Sequence, residues 1–209
     1  MLLTCLAARA GDATITFTLD FPHSDPEHYV LTVQSDGRAE YVCNGRVSRD
    51  SEETETYESK FTFSAASRAK LFDLAAQAKY FSGKVDSGNK KLAFTGAKTL
   101  AYSDGQRHSS AEYNFSPQPA VQQLTSLFQS VAATLEFGRH LAYFHRYQKL
   151  ALDAELKRME QQAHAGELAE ISAVDQVLQD IYDDNSVLNV VRARAQRLRE
   201  MGKAAPAGR

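Results

Sequence analysis

Residues 137–149 mix cationic and aromatic side chains within thirteen positions, and no other part of the chain has such varied chemistry. Basic groups beside aromatic rings suit contact with a protein, with nucleic acid or with a membrane interface. The same segment places Phe137, Leu141 and Phe144 on one helical face, which is the spacing of ordinary packing. We predict a partner-binding surface formed by six members of the segment: Arg139, His140, Tyr143, His145, Arg146 and Tyr147.

The acidic and histidine residues do not have the spacing of a metal site. His140 and His145 are five residues apart, so on a helix they point in different directions and cannot form the i,i+4 pair of a zinc site. The aspartates at 175, 180, 183 and 184 lack the alternating spacing, with glycine, of a calcium-binding loop. We therefore predict no metal ligand.

Nucleophilic catalysis would require a serine or cysteine next to a general base such as histidine. His108 precedes Ser109 and Ser110, but neighbours along a strand point to opposite faces. No serine has nucleophile-elbow glycines, and neither a phosphate loop nor a dinucleotide fingerprint is present. Cys43 lies in a strand and is typical of a small buried hydrophobe. We predict no catalytic residue and no cofactor.

A polyanion-binding protein usually carries a marked positive charge. This chain has a net charge of -2, which creates no field that would attract nucleic acid. Four arginines near the C-terminus (192, 194, 197 and 199) are too few for a phosphate-binding stripe, and acidic residues of the preceding helix can neutralise them. Nucleic-acid binding is therefore not expected. It stays an alternative because residues 137–149 combine basic and aromatic side chains.

Two hairpin turns organise the N-terminal half. The alternation of residues 28–45 is interrupted by Ser35-Asp36-Gly37, and the same turn chemistry returns at Ser103-Asp104-Gly105. Structural turn roles are therefore predicted for Asp36, Gly37, Asp104 and Gly105. Further strands are predicted over 13–20, 57–63 and 91–102, the last interrupted at Gly96.

A helical pattern follows each hairpin region. The first helix begins after Ser64 or Ser67 and carries an apolar stripe from Leu71 to Phe81. The second begins near Pro119, and its stripe runs to Leu135. This order of elements predicts an α+β fold, with an antiparallel sheet built from two ββα-like units and with helices on one face.

Beyond Gly138 the strand pattern disappears. Three apolar stripes predict a helical extension of about three helices over residues 138–202, after an α+β domain at 11–137 and before a disordered tail at 203–209. Gly138 can end a helix or lie inside one at a cost of about 1 kcal/mol relative to Ala. The stripes must be buried against the sheet, each other or another chain. We expect self-association or a protein partner.

The first ten residues resemble a truncated secretory signal peptide, because an apolar run precedes the small-x-small pattern Ala8-Arg9-Ala10. An extracytoplasmic location, periplasmic or secreted, follows if this segment is removed, and a cytoplasmic one if it is retained. No apolar run approaches the ~20 residues of a transmembrane helix. We expect no transmembrane segment.

The first hairpin resembles a family of uncharacterised bacterial extracytoplasmic α+β domains. Its members share a Cys-Pro-x-Tyr segment, then Asp-Gly, then Tyr-x-Gly. Matching positions here are Tyr29, Leu31, Val33, Asp36-Gly37, Ala39 and Tyr41. Pro26-Glu27 replaces the Cys-Pro pair, and Gly45 comes later than the pattern expects. The resemblance covers about residues 13–137 and implies a small α+β domain without a known activity.

Taken together, these patterns predict an exported binding or structural module without catalysis. An alternative is a small-ligand-binding protein or an enzyme that uses the open face of the sheet. Polar groups on that face would come from Tyr29, Tyr41, Tyr102, His108 and Tyr113.

Overall fold

A computed structural model describes residues 13–46 and 53–204 of the chain. It contains a six-stranded antiparallel sheet in the order β4-β3-β2-β1-β5-β6. The strands are β1 (Thr14–Asp20), β2 (His28–Gln34), β3 (Arg38–Arg46), β4 (Thr54–Thr62), β5 (Ala97–Ser103) and β6 (His108–Tyr113). Together with the helices, this sheet confirms the predicted α+β class.

The register of the sheet brings alternate apolar residues into rows. Phe17 of β1 faces Leu31 of β2 on one side and Leu100 of β5 on the other, and Leu31 faces Tyr41 of β3. All four side chains are fully buried. Side chains alternate between the two faces of a strand, so these four residues lie on the same face of the sheet. Helices cover that face, and the opposite face is open to solvent.

Two helices, α1 (Ala65–Gln77) and α2 (Pro119–Tyr147), supply apolar residues to the core that includes the covered face. The Ser64 hydroxyl caps α1 by accepting a hydrogen bond from the backbone N–H of Ser67, as predicted. On α2, Phe128 stacks on Phe17 of the sheet with ring centroids 5.1 Å apart. The core is therefore built from the predicted stripes.

The C-terminal region contains α3 (Leu152–His164), α4 (Asp175–Asp183) and α5 (Asn189–Ala204). Their stripes are buried inside the chain, against α2 and one another. The stripe residues that are less than 7% exposed are Leu152, Leu156, Met159, Val174, Leu178, Ile181, Val187, Val191, Ala195 and Leu198. They leave no continuous apolar face for another molecule.

Helix α2 runs without a break through Gly138, so the predicted boundary at 137/138 falls inside a helix. Glycine is required there by close packing. A Cβ on Gly138 would lie 3.2 Å from the Cβ of Val174 and would overlap its Cγ1. The missing side chain lets the segment that precedes α4 approach α2.

Some segments differ from the sequence-based expectation. The strand predicted from residue 91 begins at Ala97, because Gly96 adopts a positive φ of 95° and the backbone N–H of Thr95 donates to the Asn114 side chain instead. Lys203 and Ala204 belong to α5, whereas residues 205–209 and the predicted signal at 1–10 lie outside the described residues. Every described helix is too short or too polar to cross a lipid bilayer.

Candidate functional site

The six residues predicted to bind a partner lie at different depths on the C-terminal half of α2. Arg139 and His140 are in the interior, with 4% and 7% of their surface exposed. Tyr143 and His145 are half-buried, while Arg146 and Tyr147 are exposed. Only the last part of the segment is therefore available to another molecule, because its first residues face the sheet and α3.

Two turns of the helical region are held side by side by Asp184. Its Oδ2 accepts hydrogen bonds from Lys149 Nζ at 2.6 Å and from His145 Nε2 at 2.9 Å. Lys149 also donates to the Ser186 hydroxyl at 2.6 Å. The hydrogen bond from Lys149, followed by those from Ser186 and His145, holds the pKa of the Asp184 carboxyl well below its usual range. The end of α2 is thus joined to the α4–α5 turn.

These joined turns carry large apolar side chains that the core does not use. We define the tip patch as Tyr147, Leu150, Leu188 and Val190, which are 62%, 92%, 65% and 58% exposed, respectively. Single exposed apolar residues are normal on a surface, but a group of them marks an interaction site. Of the large apolar side chains that are exposed in the described part of the chain after residue 138, only Tyr182 lies outside the tip patch.

A groove of about 620 Å³ adjoins the tip patch, between α2 and α4. Its floor includes Gly138, Ala142 and Val174, and its rim carries Arg146 and Asp180. The Arg146 guanidinium lies 5.3 Å from the centre of the Tyr147 ring. In the described part of the chain no carboxylate forms an ion pair with Arg146, so this cation is available to a negatively charged group.

A second feature is a buried polar cluster around Glu136 of α2. Its Oε1 accepts hydrogen bonds from the Tyr41 hydroxyl at 2.8 Å and from the Cys43 thiol at 3.2 Å. Its Oε2 accepts from Arg139 Nη2 at 2.6 Å. Burial, strengthened by the negative charge of Glu136, raises the pKa of the Cys43 thiol to about 12. Cys43 is therefore a protonated, structural thiol, as its position in a strand predicted.

The same cluster connects α2 to the sheet at the C-terminal end of β3. Arg139 Nη1 donates to the backbone carbonyl of Arg46 in β3. Its guanidinium lies over Gly45, where a Cβ would approach Nη2 to 2.6 Å. A side chain at position 45 would therefore displace the Arg139 guanidinium from its present contacts. A buried ion pair of this kind needs each charge to be hydrogen-bonded, and Glu136 and Arg139 satisfy one another.

His140 links this cluster to α3. Its Nδ1 lies 3.2 Å from Glu155 Oε1, and its Nε2 lies 3.2 Å from Arg139 Nη2. Because Arg139 can only donate, Nε2 is the acceptor and the proton is on Nδ1. Glu155 also accepts from Arg158 Nη2 at 2.5 Å. His140, one of the residues predicted to bind a partner, thus forms interior contacts in the structure.

A cleft of about 350 Å³ lies between the loop that follows β1 and helices α2 and α3. The ionisable groups that line it are Asp25, Tyr29, Tyr41, Glu136, His140 and Arg158. The Arg158 guanidinium stacks on Phe137 at 4.5 Å, and its Nε is the one buried polar side-chain atom of the described residues without a hydrogen-bond partner. Of the other groups, Tyr41 donates to Glu136, whereas Asp25 and His140 form hydrogen bonds with residues outside this set.

The tyrosines expected on the open face of the sheet lie on the covered face, so that expectation is wrong. The register assigns them to the same rows as the buried core residues; they are Tyr29, Tyr41, Tyr102 and Tyr113. His108 alone faces the open side, where its Nδ1 lies 2.9 Å from the Ser103 hydroxyl. A shallow depression of about 390 Å³ surrounds this pair.

Three of the four arginines of α5 pair with acidic residues, one of them with the preceding helix α4 as expected and two with α3, whereas Arg192 donates to the backbone carbonyl of Tyr182. Arg194 and Arg197 both pair with Glu160, and Arg199 pairs with Asp175 at 2.7 Å. No positively charged stripe is therefore left on this helix for phosphate groups. Among residues 13–46 and 53–204 no three His, Cys, Asp or Glu side chains are grouped as a metal ion would require.

The sequence matches no known protein-family model, and no curated protein is significantly similar to it. The resemblance of the first hairpin to an exported domain family therefore stays a prediction. Sequence reasoning also missed most of the tip patch. The available signal was positional: Leu150, Leu188 and Val190 fall outside the stripes of their helices, which leaves them without a packing role.

Proposed function

We propose that the protein is a binding module without catalytic activity of its own, and that it holds a protein partner at the tip patch. One observation carries the proposal. Four large apolar side chains project from two turns that Asp184 and Lys149 hold together. Apolar groups on a preorganised surface lose little conformational entropy on binding, so they favour association.

The surface indicates the chemistry of the partner. Tyr147 and the three aliphatic residues provide an apolar centre, and Arg146 beside them provides one uncompensated positive charge. The partner should therefore present a short apolar helix or loop with a carboxylate next to it. Such an arrangement matches an interface with an apolar centre and a charged rim.

The apolar stripes after residue 138 do not support this proposal. In the sequence they indicate association, but in the fold they are covered inside the chain by α2 and by each other. Association therefore depends on residues that lie outside the stripes. The predicted residues Arg146 and Tyr147 remain part of the surface, whereas Arg139 and His140 act in the interior.

The proposal is tested by a photo-crosslinking amino acid introduced at Leu150 in cells. A single protein captured at position 150, and lost when Leu188→Ser is added, supports the tip patch. The matched control is the same crosslinker at Leu92, another exposed leucine that lies between α1 and β5, far along the chain. Equal capture at both positions, or none at Leu150, would contradict the proposal.

A second candidate function is the binding of a small polar ligand in the cleft beside α3. The observation in its favour is the buried Nε of Arg158, a donor that a ligand oxygen could satisfy. Extracts fractionated for compounds that raise the Tm of the protein, but not the Tm of Arg158→Met, would test it. A ligand that stabilised both proteins equally would bind elsewhere.

Export remains part of the proposal for the compartment. It rests on the pattern of residues 1–10 and on the resemblance of the first hairpin. Mass determination of the native protein tests it, because removal of the signal would place the new N-terminus close to Gly11. An intact N-terminus would favour the cytoplasmic alternative.

A further inference from the structure

The β4 strand forms one edge of the sheet. It pairs with β3 on one side, through nine residue pairs, and no other strand of the described residues pairs with its second side. An exposed edge of this length presents unpaired N–H and C=O groups, and it can accept another strand. Most proteins protect such edges with charge, and β4 carries Glu58 and Lys60 on its open face.

The sequence of β4 is complementary to itself in one antiparallel register. When Ser59 faces Ser59 of a second copy, Glu58 faces Lys60 of that copy, and Lys60 faces its Glu58. In the same register Tyr57 faces Phe61, and Thr56 faces Thr62, each twice because of the two-fold symmetry. Opposite charges, aromatic pairs and paired threonines are the cross-strand combinations that stabilise antiparallel sheets.

Neighbouring registers lack this complementarity. A shift that centres the pair on Glu58 places two carboxylates opposite each other, and one that centres it on Lys60 places two ammonium groups opposite each other. Like charges directly opposite are destabilising. A register with its centre between two residues would pair a residue from the helix-covered face of one copy with a residue from the open face of the other. The apolar side chains of the two copies would then lie on opposite faces of the joined sheet.

The pattern of alternating charges at the joint continues from β4 into β3 of each copy. Lys60 already lies opposite Glu40 of β3, at 3.3 Å, and beside Glu58 of its own strand, at 2.6 Å. In the paired arrangement a row of alternating charges would cross the joint from Glu40 to Lys60 and to Glu58 of the second copy. The charges that block pairing in other registers therefore favour it in this one.

We propose that two copies of this chain associate through β4, antiparallel and centred on Ser59, and form one continuous twelve-stranded sheet. This second surface is independent of the tip patch, and its occupant is the protein itself. A single pair of short strands buries less area than a permanent dimer requires, so the association should be reversible and should depend on concentration.

The register is tested by charge exchange in the full chain, with sedimentation to measure the dissociation constant. Glu58→Lys and Lys60→Glu should each weaken dimerisation roughly tenfold, because each turns two attractive pairs into repulsive ones. A triple variant that adds Glu40→Lys to both exchanges should restore it, since the pairs across the joint and the pair with residue 40 are attractive again with the signs exchanged. Restoration distinguishes this joint from a general effect of charge on folding.

A disulfide trap provides a second, independent measurement. Position 59 is the one place in β4 where a residue faces its own copy, so Ser59→Cys should oxidise to a dimer in a Cys5→Ser background. Thr56→Cys is the matched control on the same strand, because residue 56 faces residue 62 of the other copy. A wild-type chain that stays monomeric at every concentration, or equal crosslinking at 56 and 59, would overturn the proposal.

Discussion

Lys149, after the end of α2, donates a 2.6 Å hydrogen bond to Asp184, which follows α4. The two residues are 35 positions apart, and His145 donates to the same carboxylate oxygen. This shared acceptor adds a polar link between two turns whose helices also pack against each other. It joins the segment that carries Tyr147 and Leu150 to the segment that carries Leu188 and Val190, and its consequences can be measured.

Removal of the Asp184 charge should lower the melting temperature at neutral pH. The folded state holds the pKa of this carboxyl well below its usual value of about 3.9, so the charged form stabilises the fold. That contribution is complete above about pH 4 and is lost as the pH falls further, towards the lowered pKa. Asp184→Asn should therefore have a lower Tm at pH 7 and a smaller loss of Tm between pH 4 and pH 2.

The control for this effect is Asp73→Asn, since Asp73 accepts one hydrogen bond from the Gln77 side chain, one turn further along α1, and links no distant segments. Its variant should have nearly the same Tm as the wild-type chain at pH 7. If Asp184→Asn and the wild-type chain lost stability in parallel below pH 4, the Asp184 contacts would not contribute to the stability of the fold.

Gly138→Ala should destabilise the protein, although alanine is normally the better helix residue by about 1 kcal/mol. The new Cβ would overlap Val174, whose branched side chain has little freedom to move. We expect the free energy of unfolding to fall by about 1–3 kcal/mol, as in other overpacked cores. Denaturation of the double variant Gly138→Ala, Val174→Ala measures the overlap directly: no recovery relative to the sum of the single variants would contradict the close packing.

Glu136→Gln should both destabilise the fold and increase the acidity of the Cys43 thiol. Loss of the carboxylate leaves the buried Arg139 with Asp25, at 3.8 Å, as its remaining counter-charge, and breaking a buried ion pair costs about 3–5 kcal/mol in comparable proteins. The pKa of the thiol should fall from about 12, because burial raises it first and the charge of Glu136 raises it further. Alkylation rates between pH 8 and pH 11, in a Cys5→Ser background, measure the change. Equal rates in both proteins would contradict the hydrogen bond to Glu136.

Leu150→Ser and Leu188→Ser should leave stability nearly unchanged. Both side chains are largely exposed, so we expect the free energy of unfolding to change by about 0.5 kcal/mol or less. The matched control is Leu156→Ala on α3, a fully buried leucine whose truncation should cost about 2–5 kcal/mol. A large loss of stability at position 150 or 188 would mean that these residues pack in the core.

Much of the fold could be predicted from local patterns. The alternation of Ile15, Phe17 and Leu19 indicates a half-buried strand, and Ser64 is one of the two serines, with Ser67, that the sequence offers as the cap of α1. The stripes of the C-terminal region marked α3, α4 and α5 because each helix must bury one face. The spacing of apolar residues is sufficient to predict such helices and strands, since residues that recur at the helical or strand period usually pack into the core.

The contacts between distant segments could not be predicted in this way. The stripes indicated that α3 to α5 are covered, but not that α2 and their neighbours cover them. The sequence does not distinguish a buried tyrosine from one that is exposed and binds a ligand. Only the register of the strands shows that Tyr29 and Tyr41 face the helices. Glu136 and Cys43 are 93 residues apart, so their hydrogen bond has no local signature.

Binding of the captured partner to purified protein tests the role of the tip patch most directly. Titration of wild-type protein, of Leu150→Ser with Leu188→Ser, and of Leu92→Ser would give three affinities at one salt concentration. We expect the tip variant to bind at least tenfold more weakly and Leu92→Ser to bind as the wild type does. Equal affinity of all three proteins would show that the partner binds elsewhere and would contradict the account.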